Sequence, residues 1–171
     1  LMGYMNPVEI LSYKKFAELA SDAGVDGVLT VDLPPEEADD LLVELKAKNL
    51  DSIFLLSPTT PDTRVKLVCE KTSGYIYYVS LKGVTGAANI DPVEVASKVA
   101  HIKTFAQIPV AVGFGIRDAE SAATISKTAD AVVVGSVLVS LVAEHGENPD
   151  VLHEKMFELV NGMRLAMDRA G

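Results

Sequence analysis

Short runs that are apolar at nearly every position alternate along the chain with longer stretches in which apolar residues return every third or fourth place. The runs at 1–5, 27–33, 52–57, 75–80, 109–116 and 131–136 carry little of the in–out alternation of a half-exposed strand. Continuous apolarity of this kind predicts strands covered on both faces, as in a parallel sheet. The intervening stretches read as helices. Ile10, Leu11, Phe16, Leu19, Ala20 and Ala23 form one stripe, with Asn6 as N-cap, Pro7 at the first helical position and Gly24 as the stop. Leu41, Leu42 and Leu45 form a second, Val65 and Val68 a third, and Val95, Val99 and Ile102 a fourth. A polar, Ala-rich helix is expected at 118–127. A last helix from 150 turns Leu152, Met156, Leu159, Val160, Met163 and Met167 inward. The six strands recur about every 22 to 34 residues, which fits repeated right-handed βαβ units in a parallel α/β fold.

Length and composition restrict this picture without redirecting it. A chain of 171 residues with 49% hydrophobic content suits one domain, 1–171, with a sizeable core. A net charge of −9 argues against a nucleic-acid or membrane-surface protein, because both need clustered Lys and Arg. The acidic cluster of Glu36, Glu37, Asp39 and Asp40 opens a helix, where carboxylates complement the helix dipole. Cys69 is the single cysteine and falls within the Val65–Val68 stripe, so it reads as a core residue and the compartment as reducing and cytoplasmic. No apolar run approaches the roughly 20 residues of a membrane span. The chain opens on Leu1 inside a strand-like run, and the expectation is that residues upstream of it are missing.

The chemistry concentrates at strand ends. The strands at 109–116 and 131–136 each end in glycine where a helix begins, at Gly113, Gly115 and Gly135. Such glycines either make tight turns or let backbone N–H groups approach a ligand in front of a helix N-terminus, which together would form a phosphate cup. A doubly wound dinucleotide fold would want its third glycine where Asp118 stands, and would want the motif early in the chain. A (β/α)8 TIM barrel places a phosphate site after its seventh and eighth strands. That makes the visible strands three to eight of an incomplete barrel, with about 80 to 100 residues expected before Leu1. Asp32 is then the only carboxylate among the strand-end groups and Lys82, on the loop after 75–80, the only cation. A loop lysine is ordinarily solvated and a poor Schiff-base former. His101, His145 and His153 fall on helices or helix ends without metal-ligand spacing, so no metal site is expected.

Four segments carry a family resemblance: GVLTVDLP at 27–34, YVSLKGVTGA at 78–87, VGFGI at 112–116 and VVGS at 133–136. In this order and spacing the whole chain resembles the tryptophan synthase α subunit, strands three to eight of it. The resemblance implies a (β/α)8 barrel that cleaves indole-3-glycerol phosphate by a retro-aldol reaction to indole and glyceraldehyde 3-phosphate. It implies an α2β2 complex with a β subunit that holds pyridoxal phosphate and receives the indole, the α chain having no cofactor of its own. It assigns the phosphate to Gly86, Phe114, Gly115, Gly135 and Ser136, and the indole and glycerol portions to Met2, Tyr4, Val31, Leu55, Tyr77, Thr85 and Val133. It gives Asn6, Asp32 and Pro34 to contact and communication with the β subunit. The family's catalytic Glu and Asp, on the second strand and the loop after it, are expected upstream of Leu1, so that this chain alone would be inactive. Two other readings stand beside it: a non-catalytic phosphate- or partner-binding protein derived from such a barrel, and a sugar-phosphate isomerase or epimerase barrel.

Overall fold

A computed structural model describes residues 1–80, 91–113 and 115–171. Within it the chain forms two compact units, one of residues 1–77 with 102–109 and one of residues 78–101 with 110–171.

The first unit begins with β1 (Met2–Gly3), α1 (Met5–Leu11), α2 (Tyr13–Asp22) and β2 (Gly27–Thr30). A 3-10 turn at Pro35–Glu37, α3 (Asp39–Ala47), β3 (Asp51–Leu56) and α4 (Asp62–Lys71) follow. β1, β2 and β3 pair in parallel, with Met2 opposite Leu29, Gly3 opposite Thr30 and Leu29 opposite Ile53. Next comes β4 (Ile76–Val79), where the Ile76 N–H donates to the Pro109 carbonyl at 2.9 Å.

Val28 points from β2 into a cluster of Val8, Ala17, Ala20, Leu41, Leu45 and Leu50, supplied by the helices and the turn before β3. Leu29, next in the strand, is equally buried. Successive strand residues face opposite ways, so β2 is covered on both sides, as its unbroken apolarity predicts. Cys69 is buried on α4 beside Val65 and Val68, and burial pushes its thiol above the ordinary value. It is a core residue.

Three expectations for this region are corrected. The strand at 1–5 is short and exposed, with Met2 at 60% and Tyr4 at 65%. The helix at 6–23 is two helices, broken at Ser12, whose φ of +67° interrupts the ladder. The break rotates the stripe, leaving Ile10, Leu11 and Leu19 exposed and Ala17 and Ala20 buried. The N-cap of α1 is Tyr4 and not Asn6, which sits exposed in the first turn.

The second unit contains most of α5 (Pro92–Ile102), then β5 (Val110–Gly113), α6 (Ala119–Ser126) and β6 (Ala131–Val133), and ends with α7 (Ser136–His145) and α8 (Pro149–Ala170). β5 pairs in parallel with β6, Ala111 opposite Ala131 and Gly113 opposite Val133. Every residue of β5 is buried. α6 starts on a capping box in which Asp118 accepts from the Ser121 N–H at 2.8 Å and the Asp118 N–H donates to the Ser121 hydroxyl at 3.2 Å. On α8 Met163 is buried, whereas Val160, expected inward, is 49% exposed. His101, His145 and His153 lie on α5, at the end of α7 and on α8, and no group of three metal-ligating side chains occurs among the described residues. No described helix is long and apolar enough to cross a membrane.

Candidate functional site

The second unit brings the glycine-ended strands together. Gly113 pairs with Val133, so the two strands end level, and two residues beyond each pairing lie Gly115 and Gly135. The two glycines have different reasons to be there. Gly115 has φ +80°, the left-handed region in which a Cβ clashes with the following carbonyl, so its backbone alone requires glycine. Gly135 has φ −131° and needs no such freedom, and a Cβ built on it meets no described atom within 4 Å. Among the described residues, then, nothing gives a steric reason for glycine at 135. The position is the N-cap of α7, its carbonyl accepts the Leu138 and Val139 N–H groups at 2.9 and 3.1 Å, and no side chain caps the helix. Ser136 is the first helical residue and is exposed. An open approach, a helix N-terminus and a hydroxyl beside it suit an anion. Gly86, Phe114 and Thr85 of the expected site, with Lys82, lie outside the described residues.

The first unit places another expected set on one sheet face. Paired residues of neighbouring strands point the same way, so Met2, Leu29 and Ile53 share a face, the one turned away from the Val28 cluster. Two residues further on, at the strand ends, come Tyr4, Val31 and Leu55. Tyr4 keeps an extended backbone and is 65% exposed, Val31 is 39% exposed, and Leu55 is half-buried. Apolar side chains at successive strand ends, two exposed and one half-buried, make a surface suited to a flat apolar ring. Tyr77, by contrast, is buried in β4, and burial pushes its phenol above the ordinary value. Val133 is half-buried at the end of β6 in the other unit.

Asp32 follows Val31, and its Oδ1 accepts the Met5 N–H at 2.7 Å. Asn6 lies one residue beyond that amide and Pro34 precedes the 3-10 turn. The bond between Asp32 and Met5 joins residues 27 positions apart, and no local sequence signal marks it. Ser80 is similar: its hydroxyl and N–H both donate to the Gly113 carbonyl, at 2.8 and 3.2 Å, tying the end of the segment after β4 to the end of β5.

Comparison with known proteins bears on the whole chain. A family model described as tryptophan synthase alpha chain matches residues 1–168. The tryptophan synthase alpha chain of Marinobacter nauticus is 56% identical over 168 residues, which are 98% of this chain and 62% of that relative. That of Thioalkalivibrio sulfidiphilus is also 56% identical over 168 residues, 63% of its length. Among solved structures, tryptophan synthase subunit alpha from Legionella pneumophila superposes with a TM-score of 0.86 at 37% identity, over 99% of this chain and 62% of that one. The tryptophan synthase a2b2 complex from Pyrococcus furiosus gives 0.81 at 36% identity, over 94% of this chain and 66% of the matched chain. This chain thus spans about three fifths of the length of the curated relatives it matches. With a family model matched over residues 1–168 and a relative 56% identical over 98% of this chain, the chain belongs to the tryptophan synthase alpha chain family.

Proposed function

We propose that this chain holds the phosphate and the ring of indole-3-glycerol phosphate for an α subunit that cleaves it to indole and glyceraldehyde 3-phosphate, within a (β/α)8 barrel. The observation that carries the reading is Gly135: a glycine that no described residue crowds, with open space at its Cβ position in front of a helix that no described side chain caps. In this reading a phosphate oxygen takes the Cβ space and accepts N–H groups from the start of α7 and the Ser136 hydroxyl, with the Gly115 turn beside it. The ring lies against Met2, Tyr4, Val31 and Leu55. The family resemblance adds Tyr77, Thr85 and Val133 to the groups that would meet the ring and glycerol portions, and Gly86 and Phe114 to those that would meet the phosphate.

In the reaction, the bond between the indole carbon and the glycerol carbon breaks, and its electron pair stays on the ring carbon, which gains a proton. The glycerol hydroxyl loses a proton and becomes the aldehyde. Two carboxyl groups suit these transfers, and neither is assigned to this chain. Asp32 is a poor substitute, since its Oδ1 is engaged by the Met5 amide. The chain alone is accordingly inactive. Asn6, Asp32 and Pro34 sit on exposed or half-exposed turns suited to a partner, which the reading takes to be a β subunit holding pyridoxal phosphate, in the cytoplasm. Supplied with indole-3-glycerol phosphate, the purified 171-residue chain releases no indole while still binding inorganic phosphate. Indole release without added protein overturns the assignment of chemistry elsewhere, and failure to bind phosphate overturns the site.

A further inference from the structure

Two hydrogen bonds lock residues 3–5 to residues 31–32. The Val31 N–H donates to the Gly3 carbonyl at 2.9 Å, continuing the parallel ladder past the end of β2. Beyond it the Met5 N–H donates to Asp32 Oδ1 at 2.7 Å. Tyr4 and Val31 lie between these bonds. The helix that starts at Met5 has no cap from its own N-cap residue and no acidic side chain in its first turn, so the carboxylate from the neighbouring strand end supplies both the missing acceptor and the missing negative charge.

We propose that Asp32 is a positioning residue for the ring site: by holding the Met5 amide it fixes the turn that carries Tyr4 and keeps Tyr4 level with Val31. The inference rests on the reading of Met2, Tyr4, Val31 and Leu55 as ring-lining residues. A turn set before the ring arrives costs it no ordering on binding. Tyr4 and Val31 are both exposed, so packing does not hold Tyr4 in place, and a ring binding there must either find the turn already set or spend affinity ordering it. Residues 1–3 are held to β2 by the ladder. The turn after them is held by the Met5 side chain, which packs against the Val28 cluster, and by the hydrogen bond from its amide to Asp32, the one polar tie of the two.

The test uses indole itself as the probe. The chain contains no tryptophan, so indole emission, excited beyond the tyrosine band, reports binding without tryptophan emission from the protein. Asp32→Ala weakens indole binding about fivefold or more, the loss of one hydrogen bond to a charged group. It speeds hydrogen exchange of the Met5 amide and leaves inorganic phosphate binding unchanged. Asp32→Asn keeps the Oδ1 acceptor and restores indole binding to within about twofold of the unaltered chain. Unchanged indole binding in Asp32→Ala, with faster Met5 exchange, overturns the proposal, because the bond would then be lost without consequence for the ring. Equal losses in the alanine and asparagine variants also overturn it. An unaltered chain that binds phosphate but no indole overturns the ring reading itself, and the positioning role with it.

Discussion

Replacing Gly135 with alanine separates the two reasons a glycine can stand at the start of α7. If glycine is there for the fold, alanine should damage the fold. The geometry says otherwise: φ is −131°, which alanine adopts, and the added methyl meets no described atom within 4 Å. Alanine is a somewhat poorer N-cap than glycine, but it also restricts the unfolded chain, a gain of about 0.4–1 kcal/mol. The two effects oppose, and the net change in stability is expected within about 1 kcal/mol. A bound phosphate meets the methyl directly. If it displaces one oxygen from one N–H group, the loss is a single hydrogen bond to a charged acceptor, about 1.5–3 kcal/mol, or about ten- to hundredfold in affinity. Urea unfolding measures the first quantity, and calorimetric titration with inorganic phosphate or glyceraldehyde 3-phosphate the second. Weakened binding at unchanged stability is the expected pair. Unchanged affinity at unchanged stability would refute the phosphate cup, and a loss of stability above about 2 kcal/mol would show that the fold needs this glycine after all.

Gly115→Ala should behave in the opposite way, because its φ of +80° forces an L-residue into the left-handed region. The expected cost is about 1–2 kcal/mol of stability, read as a lower urea midpoint at unchanged slope. Asp118 gives a prediction in pH. The Ser121 backbone N–H, and next its hydroxyl, hold the Asp118 carboxyl below its ordinary 3.8. A depressed folded-state value means that this stabilisation is complete above about pH 3.8 and is lost as the pH falls through the lower folded-state value. Asp118→Ala should cost about 0.5–2 kcal/mol at neutral pH as a lost cap, and its difference from the unaltered chain should shrink on acidification below pH 3.8. A difference that grows on acidification would contradict the assignment.

The placement of strands was legible because burial on both faces leaves short continuous apolar runs, too short for most helices and bounded by glycine, proline or polar residues. Gly27–Thr30, Asp51–Leu56, Ile76–Val79 and Val110–Gly113 all fall inside or within one residue of the apolar runs. Their alternation with helical stripes, and their recurrence, pointed to parallel pairing. The helix expected at 118–127 was legible as well, and the structure adds that Asp118 caps it through Ser121, three residues on. The first helix was not. A single stripe from Ile10 to Ala23 assumes an unbroken helix, and the reversal at Ser12 depends on how α1 and α2 each seat Val8, Ala17 and Ala20 against Val28, a contact between residues far apart in the chain.

The same division runs through the site. The residue order alone marked Gly115 and Gly135 as strand-end glycines. It left them equivalent, because one-dimensional order carries no φ and no map of neighbouring atoms. Only the folded backbone shows that Gly115 is glycine for its conformation and that nothing within the described fold demands glycine at 135. Likewise Asp32 was visible as a lone strand-end carboxylate, while its hold on the Met5 amide exists only once β1 and β2 lie side by side in register. Local periodicity and local caps are written in neighbouring residues, and those the chain states directly. Register, dihedral angle and the space in front of a backbone atom arise from contacts across tens of residues, and tertiary packing alone decides them.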